Sequence, residues 1–487
     1  MVCYNKISGT YGAENKYILT DVLVNQLGFT GHVVTDWGAA QRTSGPSACI
    51  KAGLNLEMPG NFLLSRVYTR RKIKKALDKG EINIEDINRI LKPLLRTFFR
   101  VGLFEQTNVS SQKIIDIPQH QDIAQKIAEE SMVLLKNDKK FLPINLDKIR
   151  KIAIIGPNAS KKFGKPFYGG SSAVVPPFEI TPYEGIKNYI SDKVELMSKT
   201  EDADVVFLVL GLDHGASFLL NFFLKREGDT EGSDRTRYKL PEKQQELIAE
   251  TLQKNPNTVV ILVSGSPIDV SGWYNDVPAI LNAWYPGMMG GNALARILFG
   301  DVNPSGKLPV TYPKRLEEHP AHKSTDRFPG DLKEMKIFYD EGICVGYRYF
   351  DEKQIDPFFS FGFGLSYTNF NLSNLRLDKD IIKGSGEFTI SIDIENIGEM
   401  AGAEVIQVYI EDNKCSVDRP PKELQGFEKV YLEPGEKKTV DITLDETALE
   451  FYSVSKGEFI IEEGTFSIYA GSSSRDLPLS TKLDFVK

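Results

Sequence analysis

A strand that runs into a carboxylate is the first feature that could do chemistry. In "GHVVTDWGAA", residues 31–40, the β-branched pair Val33 and Val34 reads as a buried strand. It leads into Thr35, Asp36, Trp37 and the chain-turning Gly38. A carboxylate at the C-terminal end of a parallel strand lies where α/β folds place their active sites. Trp37 adds an apolar face on which a ring could stack. An aspartate there also serves as a helix cap, so Asp36 alone decides nothing. Cleaving a glycosidic bond takes two carboxyls, one on each side of the scissile bond. The second would come from "REGDTEGSDRTRYKLPEKQQELI", residues 226–248, where Glu227, Asp229, Glu231 and Asp234 crowd together with Arg226, Arg235 and Arg237. This stretch reads either as a solvated loop with surface ion pairs or as a mobile loop carrying an acid to a site on another domain.

The elements around these residues alternate helix and buried strand. A helix is expected over 18–26, strands over 32–35 and 54–58, and two helices within 63–103 split by Asp78-Lys-Gly80. A polar stretch follows. A second α/β block then opens with a helix near 119–130, and strands are expected over 132–135, 151–155, 204–210, 258–263 and 279–284. The apolar runs 204–210 and 258–263 are of parallel-strand type. Helices are expected over 241–254 and 290–299. Beyond about 370 the period becomes two, as in "GEFTISIDIENIG" and "GTFSIYAGS", and predicts an antiparallel β-sandwich. The apolar run 217–227 before the charged loop reads as a short packed helix or as a wall of the site.

Composition narrows the classes. A chain of 487 residues is too long for one ordinary domain, and 41% hydrophobic with 26% charged residues is globular. A net charge of −7 argues against nucleic acid, and the basic run 70–75 reads as a solvated helix face. The four cysteines lie far apart with no Cys-x-x-Cys pair, and His319 and His322 lack supporting ligands, so no metal is expected. No cofactor is expected either. Gly169-Gly170-Ser171-Ser172 lacks the Gly-Lys-Ser/Thr ending of a phosphate loop, which leaves nucleotide binding a remote alternative. No segment approaches the length of a membrane span. Met1-Val-Cys-Tyr-Asn lacks the regions of a secretory signal, so a cytoplasmic location is the expectation for this N-terminus.

The ordered segments "LGFTGHVVTDWGAA", "AGLNLEMPG", "ESMVLLKND", "KIAIIGPNA", "TEGSDR", "WYPGMMGGNALARILFGDVNPSGKLPVTYP", "VGYRYFD", "FGFGLSYT" and "PPKELQGFEKVYLEPGE" span nearly the whole chain. In them the sequence resembles glycoside hydrolase family three, home to many β-glucosidases and β-xylosidases. The resemblance implies a fragment of a (β/α)8 barrel over 1–104, a linker over 105–118, and an α/β sandwich domain over 119–316. It also implies a connecting segment over 317–370 and a fibronectin type III-like β-sandwich over 371–487. It puts Asp36 on the nucleophile and Glu231 on the acid/base, with Glu227 a rival. Tyr4 falls on a tyrosine near the nucleophile, Trp37 beside it on the substrate side, and Asp234 and Arg235 on braces of the acid loop. The implied substrate is a β-linked oligosaccharide or an aryl or alkyl β-glucoside.

One departure stands out. Such barrels take about 250 residues, and here the match begins at "MVCYNKISG", late in that domain. The Lys-His pair, the Arg and the Asp that the resemblance assigns to holding sugar hydroxyls have no counterpart in these residues. The expectation is therefore an incomplete chain, with a separate N-terminal barrel chain as a candidate partner. The alternative is a carbohydrate-binding or scaffolding remnant without catalysis.

Overall fold

The computed structural model describes residues 1–60, 66–105, 117–166, 168–191, 193–213, 229, 231 and 235–487. The chain divides into two compact units, Met1–Ile114 and Ile115–Lys487. The expected linker falls, over 106–116, outside the described residues, as do the apolar run 217–227, Glu227 and Asp234.

The first unit is built on three parallel segments. Val2 pairs with Thr35, and Val34 with Leu56. These ladders are a bridge long rather than the full strands the sequence suggests. The backbone bonds that make them are Val2 N–H to the Val34 carbonyl (2.8 Å), Asp36 N–H to the Val2 carbonyl (2.9 Å) and Thr35 N–H to the Leu56 carbonyl (3.1 Å). Buried Asn55 ties the layer to the helix Ile84–Arg100. Its Oδ1 accepts from the Val33 amide and its Nδ2 donates to the Ile90 carbonyl, both at 2.6 Å. Val2, Leu19, Val33, Cys49 and Leu54 form the core. The region expected to be helical over 18–26 is a π-helix, Tyr17–Gln26. Helix Arg70–Asp78 turns most of its basic run to solvent and buries Ala76. Among the described residues, no strand pairs beyond Val2 on one side or Leu56 on the other.

In the second unit a six-stranded sheet runs in the order Val133–Asn137, Ala279–Asn282, Thr258–Val263, Val205–Gly211, Lys151–Ile155 and Glu195–Met197. All neighbours are parallel except the first pair. Every residue of Val205–Gly211 and Thr258–Val263 is buried. Phe207 and Val209 face one apolar core, Leu208 and Leu210 the other. A sheet covered on both faces reads as a continuous apolar run, which is why these strands were visible in sequence.

The remainder is a sandwich of a five-stranded and a three-stranded sheet. Strand Phe388–Asn396 buries alternate residues, among them Phe388, Ile390, Ile392 and Ile394. One pair departs from the antiparallel expectation: Ile381–Lys383 runs parallel to Leu479–Val486. The chain switches sheets after Phe370–Leu377 instead of making a hairpin, so its direction is not set by a tight turn. Buried charges fasten the sandwich to the α/β sheet. Lys307 Nζ lies 2.6 Å from Glu404, with both side chains largely buried. Asp351, on helix Tyr347–Glu352, meets Lys422 at 2.5 Å and Arg475 at 2.9 Å. Asn303 donates to the Ala401 carbonyl and accepts from the Tyr367 amide.

Candidate active site

Asp36 projects from the C-terminal end of the middle parallel segment. Its Oδ1 accepts from the Tyr4 hydroxyl at 3.0 Å and from the Trp37 amide at 2.6 Å. Thr35 behind it is fully buried and accepts from the Met58 amide at 2.9 Å, while Gly38 N–H donates to the Met58 carbonyl. The carboxylate is thus aimed by a rigid base and two donors. The Trp37 indole and the Tyr4 ring stay more than half exposed, at 56% and 53%. The neighbouring carboxylate Glu57 has another task. It is buried and accepts from the Val67 and Tyr68 amides, holding the chain after the Leu56 segment.

Glu231 belongs to the second unit. Its carboxylate accepts from both the amide and the hydroxyl of Ser171, the latter at 2.6 Å. Ser171 lies in the Gly-Gly-Ser-Ser stretch that offered only a poor phosphate motif. That loop holds a carboxylate, a poor neighbour for an anionic phosphate. Gly170, at φ +98°, is packed so closely that a Cβ there would overlap the Glu231 side chain. Gly170→Val is therefore expected to push the Glu231 carboxylate off Ser171, a displacement of the ångström scale that costs about 10²-fold wherever a group takes part in catalysis. The thermal midpoint should fall as well, because a β-branched residue at φ +98° is strained.

The loop is braced from behind. Asp229 accepts from the Gly265 amide and the Ser266 hydroxyl, each at 2.7 Å, and from the Tyr285 hydroxyl at 3.1 Å. Arg235 donates to Ser266 Oγ at 2.6 Å and to the Pro267 carbonyl at 2.9 Å. Ser266 therefore links the two charged side chains. Burial draws the Arg235 guanidinium below its ordinary pKa, and the charge of Asp229 opposes that. The anchors lie just past the C-terminal ends of parallel strands, Ser264–Ser266 after Thr258–Val263 and Tyr285 after Ala279–Asn282. Crevices outside the carboxyl ends of parallel strands are where open α/β sheets bind ligands. Arg235 was singled out in sequence as a brace; Asp229 and Ser171 were not. The glycine pair before Ser171 was the available signal, since it marks a close backbone approach. Nothing local marks Asp229, whose partners are 36 and more residues away.

Among the described residues no group of His, Cys, Asp and Glu is arranged to hold a metal ion, and no helix is long and apolar enough to cross a membrane.

The three parts of the chain, a first unit with short parallel ladders, a mainly parallel six-stranded sheet and a β-sandwich, coincide with three family models, two of them of a glycosyl hydrolase. Residues 1–97 match the glycosyl hydrolase family 3 N terminal domain, 132–367 its C-terminal domain, and 404–474 a fibronectin type III-like domain. The chain is 39% identical, over 98% of its length, to thermostable beta-glucosidase B of Acetivibrio thermocellus, and spans 62% of that relative. It is 34% identical to beta-glucosidase BoGH3A of Bacteroides ovatus over 100% of its length, covering 68% of that protein. The crystal structure of a GH3 beta-glucosidase from Bifidobacterium adolescentis matches 99% of this chain with a TM-score of 0.85 and 32% identity, the match covering 68% of that structure. The chain belongs to glycosyl hydrolase family 3.

Proposed function

We propose that the protein is a retaining β-glycoside hydrolase, specifically a β-glucosidase, with Asp36 as nucleophile and Glu231 as acid/base. The observation that carries this reading is that each carboxylate is held by two donors: Asp36 by Tyr4 and Trp37, Glu231 by the amide and hydroxyl of Ser171. In the first step the bond from the anomeric carbon to the leaving oxygen breaks, and its electron pair goes to that oxygen. Glu231 supplies the proton, and an Asp36 oxygen bonds to the anomeric carbon. In the second step Glu231 takes a proton from water, the water oxygen bonds to the anomeric carbon, and Asp36 leaves. Retention requires the two carboxyls to work about 5–5.5 Å apart. Glucose is favoured over xylose because the relatives described above are named beta-glucosidases.

Catalysis by this pair also needs the sugar's hydroxyls to be held, and these contacts contribute several kcal/mol in the transition state. We assign them to further barrel strands completing the Val2 and Leu56 edges, in the same polypeptide or on a separate upstream chain. The test is to assay residues 1–487 with and without an upstream barrel fragment from a close relative, and to add a 2-fluoro-glucoside with an activated leaving group. The fluorine slows both steps and the leaving group favours the first, so adduct accumulates. Label on Asp36, with activity only when the barrel is complete, is the expected result. Label on Glu57 rejects the nucleophile. A completed protein that binds glucosides without turnover returns the non-catalytic reading.

A further inference from the structure

Where the helices of the parallel sheet meet the sandwich, the second unit holds a cavity of about 510 Å³. Helix Pro118–Ser131 supplies Glu129 to its wall, helix Gly290–Phe299 supplies Arg296, and the segment after that helix supplies Ser305. The sandwich adds Ala403 and Tyr431, which face each other across two paired strands. Two polar side chains here are buried without being fully used. Glu129 is 8% exposed, and its Oε1 accepts both of its hydrogen bonds, from Gln125 Nε2 at 2.9 Å and from Arg296 Nη1 at 2.6 Å. Among the described residues no donor bonds Oε2. Ser305 is also 8% exposed, and its hydroxyl has no partner among the described residues. Asn303 beside it is held at both ends, by the Ala401 carbonyl and by the Ser366 hydroxyl and Tyr367 amide. A buried carboxylate oxygen and a buried hydroxyl without partners each cost free energy, so both point to a ligand rich in hydrogen-bonding groups.

We propose that this cavity binds a neutral polyol, a single sugar unit such as glucose, at a site separate from Asp36 and Glu231. The charges of the wall favour a neutral ligand. The carboxylates of Asp122, Glu129, Glu130 and Asp301 oppose an anion. A cation would compete with charges already in place: Arg296 bonds Glu129 and lies 3.9 Å from Asp301, and Lys429 pairs with Glu130. A sugar hydroxyl both donates and accepts, so the hydroxyls of one ring suit Glu129 Oε2 and Ser305 alike. Tyr431, 55% exposed, offers an aromatic face to the C–H side of a pyranose. The volume lies within the about 300–1,000 Å³ of small-molecule sites. Tyr285, which braces the Glu231 loop, precedes helix Gly290–Phe299, whereas Arg296 is in the last turn of that helix and Ser305 lies beyond it. Ten residues of helix span about 15 Å. The inference therefore does not depend on the role of Glu231.

Titration of residues 1–487 with glucose, followed by saturation-transfer NMR, should show saturable binding. Ser305→Ala removes one hydroxyl at little risk to the fold and should raise Kd about 2- to 10-fold, the worth of one net hydrogen bond. Ala403→Trp fills the cavity from the sandwich side and should abolish binding. Asp36→Gly and Glu231→Gln should leave Kd at the wild-type value. Putrescine and inorganic phosphate, as cationic and anionic probes, should show no binding that Ala403→Trp removes. Absence of saturable glucose binding by the wild type overturns the proposal, as does a Kd indifferent to both Ser305→Ala and Ala403→Trp. Binding that is lost instead in Asp36→Gly or Glu231→Gln puts glucose in the reaction site and overturns it too. Tighter binding of either charged probe, removed by Ala403→Trp, keeps a site but rejects the polyol.

Discussion

With the barrel complete, Glu231→Ala is expected to slow hydrolysis of alkyl β-glucosides by about 10²–10⁴-fold, the range general acid–base catalysis supplies. The loss should depend on the leaving group. An alkoxide is a poor leaving group and needs a proton as the bond breaks; a dinitrophenolate does not. Activated aryl glucosides should therefore still form the glycosyl-enzyme quickly and then stall, because no base activates water. Azide attacks without base help and should restore turnover, giving the β-glucosyl azide by two inversions. Glu227 provides the control. If Glu227→Ala loses alkyl glucosides selectively and responds to azide while Glu231→Ala does neither, the acid/base is Glu227. The contacts of Ser171 with Glu231 also give a graded version, since Ser171→Ala removes one donor and leaves the amide.

Asp36→Gly should be more severe, lowering turnover of every glucoside by about 10⁴-fold or more, as removal of a covalent nucleophile does elsewhere. No choice of leaving group should spare it, because the missing step is bond formation at the anomeric carbon. Azide can then enter in place of the carboxylate and react in one displacement, yielding the α-glucosyl azide. The configuration of the azide product thus separates the two roles: α for the nucleophile variant, β for the acid/base variant. A β product from Asp36→Gly would mean that another group still forms the covalent intermediate. Tyr4→Phe should sit between wild type and Asp36→Gly, since it removes one of the two donors that orient Oδ1.

Legibility in sequence followed burial. Strands Lys151–Ile155 and Thr258–Val263 and helix Gly290–Phe299 have the bounds that the apolar runs and flanking glycines suggest. Each is packed on apolar neighbours, so pattern and structure report the same quantity. Helix Pro182–Ile190 was missed although its signals were present. Thr181 and Glu184 form a capping box and Pro182 takes the first turn. Strand Glu195–Met197 is a three-residue edge with no fully buried face and left no periodic trace. The site divides the same way. Asp36 was visible because it ends an apolar strand, and Glu231 through the family motif around it. The partners that aim Glu231 and its loop were not, because Ser171 is 60 residues from Glu231 and Ser266 is 37 from Asp229. Contacts of that kind are set by how strand ends converge, which one-dimensional spacing does not record.

The buried charges joining sandwich to sheet bear on how the protein melts. Three segments of sequence with different periodicities make only two compact units, and Lys307–Glu404 and the Asp351 pairs with Lys422 and Arg475 tie the sandwich to the rest of the second. Opening that seam breaks all three pairs at once, together with the Asn303 bond to the Ala401 carbonyl. Partial opening at that seam is therefore a high-energy state, and residues 115–487 should lose structure in one calorimetric transition. Slow amide exchange in strand Phe388–Asn396 should carry the same opening free energy as that in Thr258–Val263. Asp351→Ala uncouples them: it removes the carboxylate shared by Lys422 and Arg475, splits the transition, and lets the sandwich exchange first.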